Sequence, residues 1–173
     1  NIKMRNNTLS NNRYNFGVEG ATLSHFVHDI DNSNLVNGKP IRYLMGHSNE
    51  VIGSFLDIGY LALVNCDNIR VENIVLEHNI QGILIASTQD SRLENCKFEN
   101  NGWGIYLWSS ENNTLTNNTC ENNESDGIYL AYSDSNMISG NTCENNESDG
   151  IYLGSSDNNL IENNIAKNNT WRG

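Results

Sequence analysis

Residues 118–130 read NTCENNESDGIYL, and residues 141–153 read NTCENNESDGIYL again, so the same segment recurs unchanged one repeat further along the chain. Two looser copies, Gly104-Ile105-Tyr106-Leu107 and Gly82-Ile83-Leu84-Ile85, precede them. A repeat this short cannot bury a core of its own, so each copy has to pack against its neighbours. The sequence therefore predicts an elongated, stacked solenoid.

The spacing of apolar residues within each repeat indicates strands rather than helices. Apolar and polar residues alternate as Ile-x-Leu, which is typical of short, half-buried strands, and Asn, Gly, Ser and Asp fill the positions between them, as turns require. Helical repeats need longer units, and the leucine spacing of a leucine-rich repeat is missing. We expect an all-β, single-stranded parallel solenoid with seven to eight coils of roughly 20–26 residues each.

Aligning the copies gives four apolar columns and two asparagine columns that point into the solenoid. The apolar columns are Leu61, Ile83, Ile105, Ile128 and Ile151; Leu63, Ile85, Leu107, Leu130 and Leu153; Val71, Leu93, Leu115, Ile138 and Ile161; and Leu76, Phe98, Cys120, Cys143 and Ala166. The asparagine columns are Asn79, Asn101, Asn123, Asn146 and Asn169, and Asn118, Asn141 and Asn164. Equivalent residues of neighbouring coils should lie about 4.8 Å apart, so the asparagines can hydrogen-bond side chain to side chain along the stack.

The same template extends upstream with less regularity. Its matches are Met4, Leu9 and Asn12; Ile30, Leu35 and Gly38; and Val51, Leu56 and Gly59. Residues 21–59 are therefore either less regular coils or a long loop inserted into one coil; the strand-like segment Pro40-Ile41-Arg42-Tyr43 favours coils. We expect residues 1–173 to form one β-helix domain and to be a fragment of a longer protein.

The composition limits the possible partners. Asn occupies nearly one position in five, the formal net charge is −11, and hydrophobic residues make up 37% of the chain. Nucleic-acid binders need a basic face, which this charge disfavours, and no apolar stretch is long enough to span a membrane. The regular columns argue against disorder, although the composition alone would permit it.

The repeat resembles that of right-handed, pectin-lyase-like parallel β-helices, because N-x-I-x-x-N-x-x-x-x-N is followed by G-I-x-L. Two upstream segments, IDNSNLVNGKPI at 30–41 and GYLALVNC at 59–66, resemble the NosD-type β-helix domain of archaeal surface proteins such as S-layer components. The wider group is known as carbohydrate-binding and sugar hydrolase (CASH) domains. The resemblance implies an extracellular or cell-surface module that is structural or binds carbohydrate and is not catalytic. The alternatives that it implies are a polysaccharide lyase or glycoside hydrolase, and a periplasmic, NosD-like copper-handling protein.

Aromatic residues supply the predicted ligand-binding surface. Tyr106, Tyr129 and Tyr152 occupy the outward position between two inward ones, and Trp108 projects close by. Exposed stacked rings can receive the faces of sugars. The alternative is cross-strand stacking that only stabilises the sheet.

Acidic residues of the less regular section are the candidates for catalysis. Sugar hydrolysis needs two carboxyl groups that face one cleft, and Asp29, Asp31 and Asp57 are the best-placed carboxylates. Lyases of this fold add a basic residue, and Arg42 lies nearby in the sequence. The alternative is that none of these residues is catalytic.

Two groups of residues are candidates for metal binding, although no cofactor is required. Glu124, Asp126, Glu147 and Asp149 lie in two equivalent oxygen-rich turns of the kind that suits Ca²⁺, or they are simply solvated. His25 and His28 are the candidates for copper, or they are surface histidines of a loop.

Two further columns raise questions that the sequence leaves open. Glu77, Glu99, Glu121 and Glu144 share one outward position, and their repulsion must be relieved by splayed side chains, raised pKa values or bound cations. Cys120 and Cys143 are neighbours in the core as free thiols, as a disulfide or as metal ligands.

The expected partners follow from this surface. They are a cell-surface polysaccharide or glycoprotein, with no nucleic acid and no membrane span within these residues. Unpaired strand edges at the two ends would also permit end-to-end self-association.

Overall fold

The structure, a computed structural model, describes residues 1–173, and its regular secondary structure consists almost entirely of short strands. Its one short helix is a 3₁₀ turn at Leu23–His25. The strands in chain order are β1 (Lys3–Met4), β2 (Thr8–Leu9), β3 (Asp29–Ile30), β4 (Leu35–Val36), β5 (Lys39–Met45), β6 (Val51–Gly53), β7 (Tyr60–Val64), β8 (Arg70–Glu72), β9 (Val75–Glu77), β10 (Gln81–Ala86), β11 (Arg92–Glu94), β12 (Lys97–Glu99), β13 (Trp103–Trp108), β14 (Thr114–Thr116), β15 (Thr119–Glu121), β16 (Ile128–Ala131), β17 (Met137–Ser139), β18 (Thr142–Glu144), β19 (Ile151–Gly154), β20 (Leu160–Glu162) and β21 (Ile165–Lys167). No helix is long and apolar enough to cross a membrane.

The strands stack into three sheets around a single interior. The main sheet has the order β19-β16-β13-β10-β7-β5-β4-β2, the second sheet β20-β17-β14-β11-β8-β6, and the third sheet β21-β18-β15-β12-β9. A separate pair joins β1 to β3. Every pairing is parallel except that of β4 with β5. The predicted all-β parallel solenoid is thus confirmed, with about eight turns.

The inward columns of the regular repeats pair in the predicted register. Ile105 lies opposite Ile83 on one side and Ile128 on the other, and Ile128 lies opposite Ile151. The four apolar inward columns, two from the main sheet and one each from the second and third sheets, meet in one apolar core, which runs from Leu44 to Cys143 and against which Ile151 and Leu153 pack. Identical residues therefore lie above one another because the parallel pairing brings each repeat into register with the next.

The asparagine ladder forms, but its main link differs from the one predicted. From Asn101 onward, the side-chain Oδ1 of each asparagine in the first column accepts a hydrogen bond from the backbone N–H of the asparagine one coil earlier, as in Asn101 N to Asn123 Oδ1 at 3.0 Å. The Asn123 Nδ2 donates to the Phe98 carbonyl at 3.3 Å and to the Asn146 Oδ1 at 2.9 Å. The ladder thus supplies partners for backbone groups that turn away from the sheets at a buried corner.

Two equivalent ladders were not predicted. At one corner the Ser110 backbone N–H donates to the Ser133 Oγ at 3.0 Å, and at another the Asn113 N–H donates to the Asn136 Oδ1 at 2.8 Å. Serine and asparagine are common in turns for local reasons, so their occurrence between strands does not distinguish a buried ladder residue from an exposed turn residue.

The corners also explain why asparagine and glycine recur beside the ladders. Asn100, Asn122 and Asn145 each have a φ of 56°, in the left-handed region that asparagine tolerates better than most residues. Gly127 has a different role, since a Cβ there would lie 2.7 Å from the carbonyl oxygen of Gly150 in the next coil. The glycine of each G-I-x-L segment therefore permits the close approach of successive coils.

The template was less accurate upstream of residue 60. Val51 is exposed, and its neighbour Ile52 takes the inward place opposite Val71. Leu9 lies opposite Val36, one residue later than predicted. A hairpin at residues 37–38 turns β4 back against β5. The parallel stacking that the template assumes is therefore interrupted at this point.

The N-terminal residues form a layer on the outside of the main sheet. Residues 10–28, here called the strap, leave β2 and run along the solenoid, where Ile80 N donates to the Phe16 carbonyl at 2.8 Å. Phe26 and Ile30 belong to a second apolar cluster that covers outward residues of the main sheet, including Leu84 and Trp108. Residues 21–59 thus contain the 3₁₀ turn and β3, which lie outside the main sheet, and β4, β5 and β6, which belong to the main and second sheets.

Candidate functional site

The three tyrosines of the repeat form a continuous stack, here called the tyrosine row. Tyr106, Tyr129 and Tyr152 lie opposite one another on β13, β16 and β19. The first two rings are 5.1 Å apart at an interplanar angle of 4°, and the second and third are 5.3 Å apart at 31°. Trp103 stacks on Tyr106 at 5.8 Å, and the Arg172 guanidinium lies 5.9 Å from the Tyr152 ring. Three rings, one from each of three successive coils, therefore follow the solenoid axis at nearly the spacing of the coils, and Trp103 of the first coil lies beside them.

The strap covers one side of this aromatic surface. Trp108, predicted to be exposed with the tyrosines, is only 8% exposed, because Phe26 packs on it with ring centroids 5.0 Å apart. Tyr106 is half-buried, and burial raises its pKa to about 12. Tyr152 is 37% exposed. The accessible part of the row is therefore its C-terminal half, at Tyr129 and Tyr152.

Small residues lie beside the accessible rings. In the column that begins with Trp108, the next two coils carry Ala131 and Gly154. A Cβ at Gly154 would meet the Tyr129 ring and the Tyr152 ring at 3.6 Å each. Small residues thus replace the large side chain of Trp108 in these two coils, and the Tyr129 and Tyr152 rings lie against Gly154.

The four catalytic candidates do not share one site. Asp29 and Asp31 both form salt bridges with Arg5, the latter at 2.9 Å, and Asp31 also accepts hydrogen bonds from Ser33, which lower the pKa of Asp31. Asp57 lies 3.8 Å from Lys39 instead. Arg42 pairs with Leu61, which places it at the N-terminal end of an inward column.

The two histidines proposed for copper each accept a backbone hydrogen bond. His25 Nδ1 accepts from the Ala21 N–H at 3.1 Å, and His28 Nδ1 accepts from the Ile2 N–H at 3.3 Å. The structure contains no group of three or more His, Cys, Asp or Glu side chains arranged to hold a metal ion.

The acidic turns proposed for calcium point in different directions. Glu124 pairs with Arg13 of the strap. Asp126 is buried and accepts a hydrogen bond from the Asp149 N–H at 3.0 Å, so it acts as a ladder residue. Asp149 lies 3.3 Å from the Arg172 Nε, and Glu147 is exposed. The repeat does stack the two turns, but three of the four carboxylates have other partners.

The glutamate column forms as predicted, and lysines relieve its repulsion. Lys97 lies 3.0 Å from Glu99 and 2.8 Å from Glu121, and both carboxylates raise the pKa of Lys97. Lys167 lies 2.6 Å from Glu144. The repeat pattern did not predict that lysine side chains of the protein would offset this repulsion.

All four cysteines are free and buried. Burial raises the pKa of Cys96 to about 11, and it raises the pKa of Cys66 and Cys120 as well. Cys120 and Cys143 are paired neighbours in the third sheet, as predicted. They occupy the core as neutral, apolar thiols.

The largest concave feature of the molecule, here called the corner groove, was not predicted. It encloses about 1000 Å³ between the start of the strap, residues 10–15, and the corner where the third sheet turns toward the main sheet. Its floor carries Asn100 and Asn122, and Glu77, Glu124 and Glu147 follow the same corner. For Glu124 and Glu147, the sequence pattern predicted only a role in calcium binding. One wall of the groove is formed by the strap, which is distant in sequence from the other lining residues. The periodicity of the repeats does not predict that contact.

Comparison with known proteins gives one match. The family model for the right-handed β-helix region matches residues 60–173. Those residues include the inward columns, the asparagine and serine ladders and the tyrosine row. No curated protein and no solved structure matches the chain.

Proposed function

Because the chain belongs to the right-handed β-helix family, we propose that it is a rigid, non-catalytic module that binds carbohydrate on the accessible half of the tyrosine row. The single observation that carries the proposal is that the half-buried Tyr129 ring and the exposed Tyr152 ring lie 5.3 Å apart on the outer face of the main sheet. The proposed location is extracellular or at the cell surface, and the proposed partner is a surface polysaccharide or glycoprotein.

The chemistry of the row supports this ligand class. Tyrosine offers an apolar ring face and a polar hydroxyl at its tip, so it can pack against the C–H face of a sugar while it hydrogen-bonds a hydroxyl group. Burial raises the pKa of Tyr129, which keeps its phenol neutral and able to donate.

The rigidity of the row also favours binding. The strands below it are fixed by parallel pairing, and the half-buried Tyr106 and Trp103 support it from the N-terminal side. Rings that are already stacked lose little conformational freedom when a ligand binds, and this lowers the cost of association.

A glycan array followed by calorimetric titration tests the proposal. We expect the wild-type protein to retain a neutral oligosaccharide, and Tyr129→Ala to weaken that binding by about tenfold, roughly 1.4 kcal/mol, since a central aromatic contact is removed. Tyr129→Phe keeps the ring and should lose less.

Phe55→Ala serves as the matched control, because Phe55 is a strongly exposed aromatic residue in the segment after β6, away from the row. It should bind like the wild type. Equal binding by wild type and Tyr129→Ala, with both proteins folded by circular dichroism, would refute the assignment of this surface.

A further inference from the structure

We propose that the corner groove is a second binding site, which takes oligosaccharides that carry free amino groups. The inference shares with the proposed function the assumption that the ligand is a carbohydrate, but it depends on none of the residues of the tyrosine row. Its geometry, polar lining and charge each support this ligand class.

The geometry suits a ligand that is itself a repeating chain. Glu77, Asn100, Asn122 and Glu147 belong to four successive coils, so the groove runs along the solenoid axis over about 14 Å, three intercoil steps. An oligosaccharide laid along this axis would meet an equivalent amide at each of the two central coils. A compact ligand would use only part of this length.

The lining supplies hydrogen-bonding groups that are not needed by the fold. Asn100 and Asn122 are exposed, and their backbone amides already donate to the carbonyls of Glu121 and Glu144. Their side chains can therefore donate to and accept from vicinal hydroxyl groups. This is the complementary pattern that sugar hydroxyls require.

The Tyr14 hydroxyl lies at the wall of the groove beside Glu124. Burial, together with the nearby Glu124 carboxylate, raises the pKa of Tyr14, so the phenol retains its proton. Tyr14 is therefore neutral, and the charge of the groove comes from its other residues.

The charges of the groove select the sugar. Glu124 is already neutralised, because the Arg13 guanidinium of the strap pairs with it and lies 5.7 Å from the Tyr14 ring. Glu77 and Glu147 are exposed and form no salt bridge, and His78 is the one other titratable group of the lining besides Arg13, Tyr14 and Glu124. The two remaining carboxylates would repel uronic acids or sulfated sugars and attract ammonium groups.

Calorimetric titration of the full chain with three tetrasaccharides tests the inference, in a mildly acidic buffer that keeps sugar amines protonated. The ligands are the glucosamine tetramer, its fully N-acetylated form and the galacturonate tetramer. The proteins are the wild type, the double variant Glu77→Gln/Glu147→Gln, and Tyr129→Ala. Both glutamines replace exposed side chains of nearly the same shape, so the fold should be unaffected.

We expect the glucosamine tetramer to bind the wild type about tenfold more tightly than the N-acetylated form, and the double variant to lose about the same factor, since two exposed charge pairs are removed. Added salt should reduce the preference, and the galacturonate tetramer should not bind. Tyr129→Ala should leave the preference for the amine unchanged.

Equal affinity of the wild type for the amine and its N-acetylated form would overturn the inference, as would an unchanged preference in the double variant. Binding of tetralysine as tight as that of the glucosamine tetramer would also overturn it, because the groove would then recognise cations rather than sugars. If Tyr129→Ala alone abolished binding of every glycan, the groove would be excluded and the proposed function supported. If only the double variant lost glycan binding, the groove would be supported as the binding site and the tyrosine row would be excluded.

Discussion

Replacement of Asn123 by alanine should destabilise the protein far more than replacement of its neighbour. Asn123 is fully buried, and its side chain makes three hydrogen bonds: it accepts from the Asn101 N–H at 3.0 Å, and it donates to the Phe98 carbonyl at 3.3 Å and to the Asn146 Oδ1 at 2.9 Å. Each such bond contributes about 1 kcal/mol, and each buried group left without a partner costs about 1–3 kcal/mol.

The expected loss in Asn123→Ala is therefore about 4 kcal/mol of unfolding free energy, a large share of the roughly 5–15 kcal/mol of a typical domain. Urea denaturation followed by circular dichroism measures it. A decrease in the slope of the transition along with its midpoint would indicate that coils on the two sides of the change unfold separately.

Asn122 provides the matched control in the next position. It is exposed with a φ of 56°, so Asn122→Gly should change stability by less than about 0.5 kcal/mol, and Asn122→Ala should cost about 1 kcal/mol because alanine is strained in this conformation. A loss below about 1 kcal/mol in Asn123→Ala, or one equal to that of Asn122→Gly, would refute the view that the ladder stabilises the corners.

Three further predictions follow from the packing and the charges. Phe26→Ala should cost about 3 kcal/mol and shift tryptophan fluorescence to longer wavelength, because it uncovers Trp108; an unchanged spectrum would mean that the strap is not anchored there. Burial raises the pKa of Cys96 from 9.0 to about 11, so this thiol ionises first in the unfolded chain. Stability should therefore be intact below about pH 9 and fall by roughly 3 kcal/mol as the pH rises through 11, and a level pH profile in urea titrations would contradict this. Lys97→Met should cost under about 1 kcal/mol at low ionic strength, and the difference should vanish in high salt if it arises from the two glutamate contacts.

Most of the regular solenoid could be predicted from the sequence, because a repeat imposes the same local structure on every copy. The inward places of Ile105, Ile128 and Ile151 required only the alternation within one coil and the spacing between coils. The tyrosine row followed from the same argument. The buried serine and asparagine ladders were missed because turn residues have the same composition whether they are exposed or stacked inside.

The candidate sites were harder to predict, because their surroundings are not periodic. Trp108 was expected on the open surface, and nothing in its repeat indicates that Phe26, more than eighty positions earlier, would cover it. Val51 and Ile52 are both apolar and adjacent, so a shift by one residue exchanges the inward face without changing the pattern.

The sequence by itself determined the coil: its period, its inward columns and the alignment of like residues, since parallel pairing of identical repeats leaves only one register that buries every apolar column. The tertiary structure alone decided which parts of the outer surface are accessible. The strap, which belongs to no repeat, covers one side of the tyrosine row and forms a wall of the corner groove through long-range contacts such as that of Arg13 with Glu124. Contacts of this kind depend on where a nonrepeating segment lies in space, and the periodicity of the repeats does not predict that position.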